Sequence, residues 1–213
     1  MGKIDLLNPY PVVILGNGKF PTHPTPLKRL RTAKTLICIN GGADRALEQG
    51  LSPSLLIGDM DSLTTDPSRL SCDSILQTEQ ENTDLEKALD WCVENKITET
   101  TLLGITGHRE DFTLTNFLAM KEYSVNIFLT TVTDFFTIYY VEGRKEFSTR
   151  PGQTVSFLSL GKPPKITTTG LKFALKCEFL ITSGHGISNE AIGEQFTVTV
   201  DKEGLFVFIA HPS

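Results

Sequence analysis

Two carboxylates stand two residues apart at the end of a short apolar run, in Ile57-Gly58-Asp59-Met60-Asp61-Ser62. The preceding Leu55-Leu56-Ile57 is bounded by turn residues and reads as a buried strand. In an extended segment the rise is about 3.3 Å per residue and side chains alternate, so Asp59 and Asp61 face one way, roughly 6–7 Å apart at the backbone. Two carboxylates about 5 Å apart repel by roughly 3 kcal/mol at an effective dielectric near 20. A hard divalent cation with oxygen ligands neutralises such a pair. The spacing therefore points to a magnesium-type site at the carboxyl end of a sheet. The simpler alternative is a solvated acidic turn.

Other segments carry compatible chemistry. Asn40-Gly41-Gly42-Ala43-Asp44-Arg45 follows one apolar run and opens a helix. Its paired glycines permit a tight turn with exposed N–H groups, and a helix start favours an anion. Arg45 would add a charged fork to a phosphate. A plain strand-to-helix turn with Arg45 in solvent explains the same residues. Gly104-Ile105-Thr106-Gly107-His108-Arg109-Glu110-Asp111 is a second glycine-rich turn. Asp111 there is either a site residue or the N-cap of the next helix. Thr83 followed by Glu86 forms a capping box, which places Asp84 in the first turn of a helix, where its charge suits the helix dipole. One such turn is unremarkable. Several, carrying Gly, Asp and Arg at one sheet edge, favour a metal–phosphate site. Gly186-Ile187-Ser188-Asn189-Glu190 reads as a polar turn.

The elements that would position these residues are visible as periodicity. Val12–Leu15, Leu36–Ile39, Leu55–Ile57, Thr101–Ile105 and Val125–Leu129 are continuous apolar runs, which suits strands covered on both faces of a parallel sheet. Helices are expected over Pro26–Ala33, Ala43–Gln49, Asp84–Lys96 and Asp111–Glu122. In the third of these, Leu85, Ala88, Leu89, Cys92 and Val93 form one apolar stripe. This is an α/β pattern. After about Val132 the pattern becomes all-β. Strands are expected over Phe136–Val141, Thr154–Leu160, Lys165–Thr169, Lys176–Ile181, Gln195–Val200 and Leu205–Ile209, with the phenylalanines Phe135, Phe136, Phe147, Phe157, Phe173, Phe179, Phe206 and Phe208 as core. The expected division is an α/β domain over residues 1–132, with a mostly parallel sheet, and an all-β sandwich over residues 133–213.

The 213 residues suffice for one large or two small domains. A net charge of −5 argues against a nucleic-acid surface. No apolar run approaches the ~20 residues of a membrane span, and the N-terminus lacks a signal-peptide core. Cys38, Cys72, Cys92 and Cys177 are scattered without a CxxC pair, which argues against zinc and redox chemistry and suits a reduced, cytoplasmic protein.

The order of these motifs resembles the thiamine pyrophosphokinase family: Gly41-Gly42-Ala43-Asp44-Arg45, then Gly58 to Ser62, then Thr83-Asp84, then Gly104 to Phe112, then Gly186 to Asn189. Gly170 to Leu175 also resembles a family strand, and the resemblance runs from about Val12 to Phe208. It implies transfer of pyrophosphate from ATP to thiamine, giving thiamine diphosphate and AMP. It further implies that Asp59, Asp61 and Asp84 hold Mg²⁺ and act in catalysis, with Asp111 as a further carboxylate. Gly41, Gly42, Arg45 and Ser62 would hold the polyphosphate, and Gly104, Gly107 and Arg109 would line the nucleotide. Gln80, Ser188 and Asn189 would contact thiamine. It implies a homodimer, with each site at the junction of an α/β domain and the other subunit's β domain. Two positions depart from the family pattern. Phe112 stands where a His is usual, and Gln80-Glu81 where many bacterial members carry Lys-Asp. Three rivals remain: a metal-dependent nucleotide phosphohydrolase, pyrophosphoryl transfer to a different alcohol, and a non-catalytic nucleotide or thiamine sensor.

Overall fold

The computed structural model describes residues 8–66, 70, 72–76, 81–182 and 184–212. The chain divides into two compact units, one ending at Asp134 and the other beginning at Phe135.

In the first unit the strands β1 (Val12–Leu15), β2 (Thr35–Ile39), β3 (Leu55–Gly58), β4 (Asp73–Leu76), β5 (Glu99–Leu103) and β6 (Phe128–Val132) lie in the order β6-β5-β1-β2-β3-β4. All of these pairings are parallel. β1, β2 and β3 are buried along their whole length, as their unbroken apolar runs require. The helices are α1 (Pro24–Arg31), α2 (Gly42–Glu48), α3 (Asp84–Glu94) and α4 (Glu110–Tyr123).

Three expectations need correction here. The strand expected at Val125–Leu129 begins at Phe128, because Asn126 and Ile127 still donate to the Tyr123 carbonyl and close the end of α4. The edge strand β4 has only two apolar residues and gave no periodic signal. On α3 the stripe of Leu85, Ala88, Leu89 and Cys92 is buried, but Val93 is exposed and Lys87 is buried in its place, at 6% exposure. Helical geometry alone would put Lys87 at the rim. An ion pair, described below, holds it inside.

The second unit is antiparallel throughout its pairings. β12 (Asn189–Glu190), β9 (Thr154–Leu158), β14 (Leu205–Ala210) and β7 (Phe136–Val141) pair in that order. β11 (Lys176–Phe179), β10 (Lys165–Thr169), β13 (Gln195–Val200) and β8 (Arg144–Ser148) form a second layer. Val155, Phe157 and Val207 of the first layer and Ile166, Phe196 and Val198 of the second belong to one buried cluster. Phe147 stacks on Phe196 at 5.2 Å, and Phe157 meets the same ring edge-on at 6.3 Å. The expected phenylalanine core is only partly right: Phe147, Phe157 and Phe206 are buried, whereas Phe135, Phe173 and Phe179 are exposed. The strand β8 was not expected, because its charged sequence Arg144-Lys145-Glu146 hides the alternation.

Candidate active site

The strand order places β2, β3 and β4 on one side of β1 and β5 on the other. The chain therefore leads on from β1 and from β5 in opposite directions along the sheet, to β2 and to β6, which makes their neighbouring ends the switch point at which open α/β sheets bind ligands. A cleft of about 450 Å³ lies there, at the carboxyl ends of β1, β2, β3 and β5. The backbone of the β1 loop is tied to that of the β5 loop. Gly16 N donates to Leu103 O at 2.8 Å, Gly18 N to Gly104 O at 2.6 Å and Lys19 N to Thr106 O at 2.8 Å.

Asn40 follows β2 in the left-handed region, at φ 45°. Its buried amide joins three segments. Nδ2 donates to Asp59 Oδ1 at 3.1 Å and to Asp84 Oδ2 at 2.6 Å, and Oδ1 accepts from Met60 N at 3.1 Å. Gly58, at φ 142°, is required beside it, because a Cβ there would collide with the Asn40 side chain. Asp59 and Asp61 are not set by strand alternation as their spacing suggested. Met60 is left-handed at φ 64°, and Asp61 N donates to Asp59 Oδ1 at 3.1 Å, so a tight turn directs both carboxylates to the cleft. Ser62 Oγ accepts from Gly41 N and Asn17 Nδ2, both at 3.2 Å, and so links the loops after β1, β2 and β3.

Asp84 opens α3 behind the capping box: Glu86 N donates to Thr83 Oγ1 at 3.3 Å and Thr83 N to Glu86 Oε2 at 2.7 Å. Lys87 Nζ pairs with Asp84 Oδ1 at 3.0 Å. Both Asp84 oxygens are thus engaged, one by an ammonium and one by an amide. The Asp61 carboxylate and Asp59 Oδ2 accept no hydrogen bond among the described residues. No three His, Cys, Asp or Glu side chains among the described residues stand close enough to enclose a metal ion by themselves. The donor set of Asp59 and Asp61 nevertheless fits Mg²⁺. That ion is commonly held by one or two carboxylates together with substrate phosphates.

Residues 27–129 match the sequence family described as thiamin pyrophosphokinase, catalytic domain, and residues 141–205 match thiamin pyrophosphokinase, vitamin B1 binding domain. The chain belongs to the thiamin pyrophosphokinase family. The thiamine pyrophosphokinase of Bacillus subtilis (strain 168) is 29% identical over 183 residues, which span 81% of this chain and 85% of that one. Thiamin pyrophosphokinase from Geobacillus thermodenitrificans superposes with a TM-score of 0.80 at 23% identity, over 95% of this chain and 98% of that chain. The Candida albicans enzyme does so with a TM-score of 0.81 at 16% identity, over 94% and 90%. These two superpositions show a shared fold.

Within the half that matches the pyrophosphokinase catalytic domain, Asp59, Asp61, Ser62, Asp84, Gly104 and Arg109 all line the one cleft. Gly41, Gly42, Arg45, Gly107 and Asp111 do not. Arg45 is exposed and pairs with Glu48 at 3.4 Å. Gly42 serves packing: a Cβ there would sit 2.5 Å from the Leu15 carbonyl. Asp111 is not the helix cap, which is Arg109. Instead it grips the Arg109 guanidinium, with Nε–Oδ1 at 3.1 Å and Nη2–Oδ2 at 2.6 Å. That hydrogen-bonded pairing raises the basicity of Arg109 and holds the Asp111 carboxyl below the usual carboxylate range. In the half that matches the vitamin B1 binding domain, Ser188 is exposed on a left-handed turn. Asn189 is buried, accepting from Phe173 N at 3.1 Å and donating to Phe173 O at 2.7 Å. Gln80 lies outside the described residues. Asn17, Lys87, Phe112, Thr113 and Asn116 are parts of this cleft or its support that spacing did not single out. Only the Gly16-Asn17-Gly18 turn after a strand carried a usable signal.

Proposed function

We propose that this protein transfers the pyrophosphoryl group of ATP to the hydroxyl of thiamine. The hydroxyl oxygen attacks the β-phosphorus, the bond from that phosphorus to the oxygen bridging to the α-phosphorus breaks, and AMP leaves. The observation that carries this reading is the match of both halves of the chain to the two domains of one pyrophosphokinase family, with the carboxylate cleft inside the catalytic half.

Phosphoryl transfer proceeds through a loose transition state, so positioning and charge neutralisation dominate. In this reading Asp59 and Asp61 hold Mg²⁺ with the ATP phosphates. The ion, when bound, neutralises charge developing on the phosphate oxygens. Asn40 and Lys87 fix Asp84 beside them, which makes Asp84 an orienting carboxylate. Asp61, which accepts no hydrogen bond among the described residues, keeps its carboxylate for that ion. Ser62 and the β1-loop backbone border the phosphate chain, and the residues from Gly104 to Arg109 border the nucleoside. Residues 1–132 act as the catalytic domain and residues 133–213, as a β-sandwich, bind thiamine through Ser188 and Asn189, with Gln80 a further contact. The assembly is a homodimer. Four cysteines, all free thiols, suit the cytoplasm. Among the described residues no helix is long and apolar enough to cross a membrane.

The test is AMP formation from ATP with and without thiamine. AMP released only with thiamine, in step with thiamine diphosphate, is the expected result. Phosphate release without thiamine would instead favour a phosphohydrolase, and binding without turnover a sensor.

A further inference from the structure

The geometry points to Phe112, stacked by Arg109, as the seat of the nucleobase, with Asn116 Oδ1 as the atom that selects a base carrying an amine at purine C6 or pyrimidine C4. This deepens the proposed function and rests on the cleft being a nucleotide site.

Phe112 is a large apolar ring left 46% exposed in the first turn of α4, and it lines the cleft rather than the core. The Arg109 guanidinium carbon lies 4.5 Å from its ring centroid. Asp111 holds that guanidinium by its two-pronged contact, so the stack is ordered before a ligand arrives. The same contact neutralises Arg109, which makes it a poor clamp for phosphate and a good flat surface for a base. Asn116 follows four residues after Phe112 and so shares its helix face. It is 8% exposed and lines the same cleft. Its Nδ2 donates to the Ile105 carbonyl at 2.7 Å, which fixes the amide orientation. Oδ1 has no hydrogen-bond partner among the described residues and is left as an acceptor. Adenine and cytosine offer an amine donor to such an atom, whereas guanine presents an oxo group at the equivalent place.

The scale also fits. The α4 start follows β5, and the Asp59–Asp61 turn follows β3, three strand spacings away in the order β5-β1-β2-β3. That is roughly 14 Å at about 4.8 Å per spacing, the span of a nucleoside with its phosphate chain extended toward the carboxylates.

The experiment is calorimetric titration of the full chain in Mg²⁺, without thiamine, using ATP, GTP and inorganic tripolyphosphate. Phe112→Ala is expected to weaken ATP roughly tenfold, the loss of one stacked base, and to leave tripolyphosphate unchanged. Phe112→Trp restores ATP binding, which excludes a folding defect. The wild-type protein is expected to bind ATP about tenfold more tightly than GTP, the worth of one hydrogen bond. Equal loss of ATP and tripolyphosphate binding in Phe112→Ala, or no loss of either, overturns the stacking seat. Equal wild-type affinity for ATP and GTP overturns the Asn116 assignment. Wild-type protein that binds neither ATP nor tripolyphosphate overturns the nucleotide reading itself, a different result from either.

Discussion

Asp61 and Asp84 carry the same chemical group but sit in opposite circumstances. Asp84 is clamped by Lys87 and Asn40, whereas Asp61 is open to the cleft. Asp61→Asn removes a charge that supports nothing else among the described residues, so its effect should fall on chemistry alone. Turnover is expected to drop at least roughly a hundredfold, as for loss of one charge-stabilising group. The thermal midpoint should hardly move, since surface changes away from special features cost within about 0.5 kcal/mol. Thiamine-dependent AMP formation and a melting curve check this. Near-normal turnover at saturating Mg²⁺ would remove Asp61 from the site. The three aspartates were legible in the sequence because strand-end carboxylates leave a local trace. Asn40 was not. Its role depends on a left-handed backbone and on partners at Asp59, Met60 and Asp84, which no local pattern records. Arg45, expected at the polyphosphate, opens a helix as its sequence context suggests and is exposed beside Glu48.

At the scale of elements, two more aspartates fasten the loops that frame the cleft. Asp44 on α2 accepts from Thr64 N at 2.7 Å and Thr65 N at 2.9 Å, and so tethers the segment that follows the Asp59–Asp61 turn. Asp134 accepts from Thr22 N at 2.7 Å and His23 N at 2.9 Å, at the start of α1. Burial pushes both carboxyls upward. The hydrogen bonds outweigh it and hold both below the usual carboxylate range. A depressed folded value means the stabilisation is complete above the unfolded pKa, near 3.9, and is lost as pH falls through the lower folded value. The urea midpoint is therefore expected to fall as pH drops below about 4. Asp44→Asn should lower it most at neutral pH and flatten the acid slope. An acid slope identical to wild type would show that Asp44 contributes nothing there. These tethers join residues 20 or more apart in the chain, so periodicity could place the helices without revealing what ties their loops down.

For the whole molecule, the second unit leaves Phe173, Phe179, Ile181 and Ile187 exposed. The proposed homodimer would give these side chains cover from water. Sedimentation equilibrium is expected to return twice the chain mass of 23.5 kDa, with a melting temperature that rises with protein concentration. A monomer at every concentration would exclude the dimer.

The sequence by itself determined the α/β first half, the all-β second half, the capping box that presents Asp84 and the place of Asp59 and Asp61 at the end of a strand. Each of these is a local matter of periodicity, capping or chain reversal, settled within a dozen residues. Only the tertiary structure decided which of the glycine and arginine turns reach the cleft, that Lys87 is buried on Asp84, and that Phe112 and Asn116 face the same space as the carboxylates. Those outcomes depend on strand order and on contacts between distant segments, whose free energies are won or lost in three dimensions and leave no periodic mark in the chain.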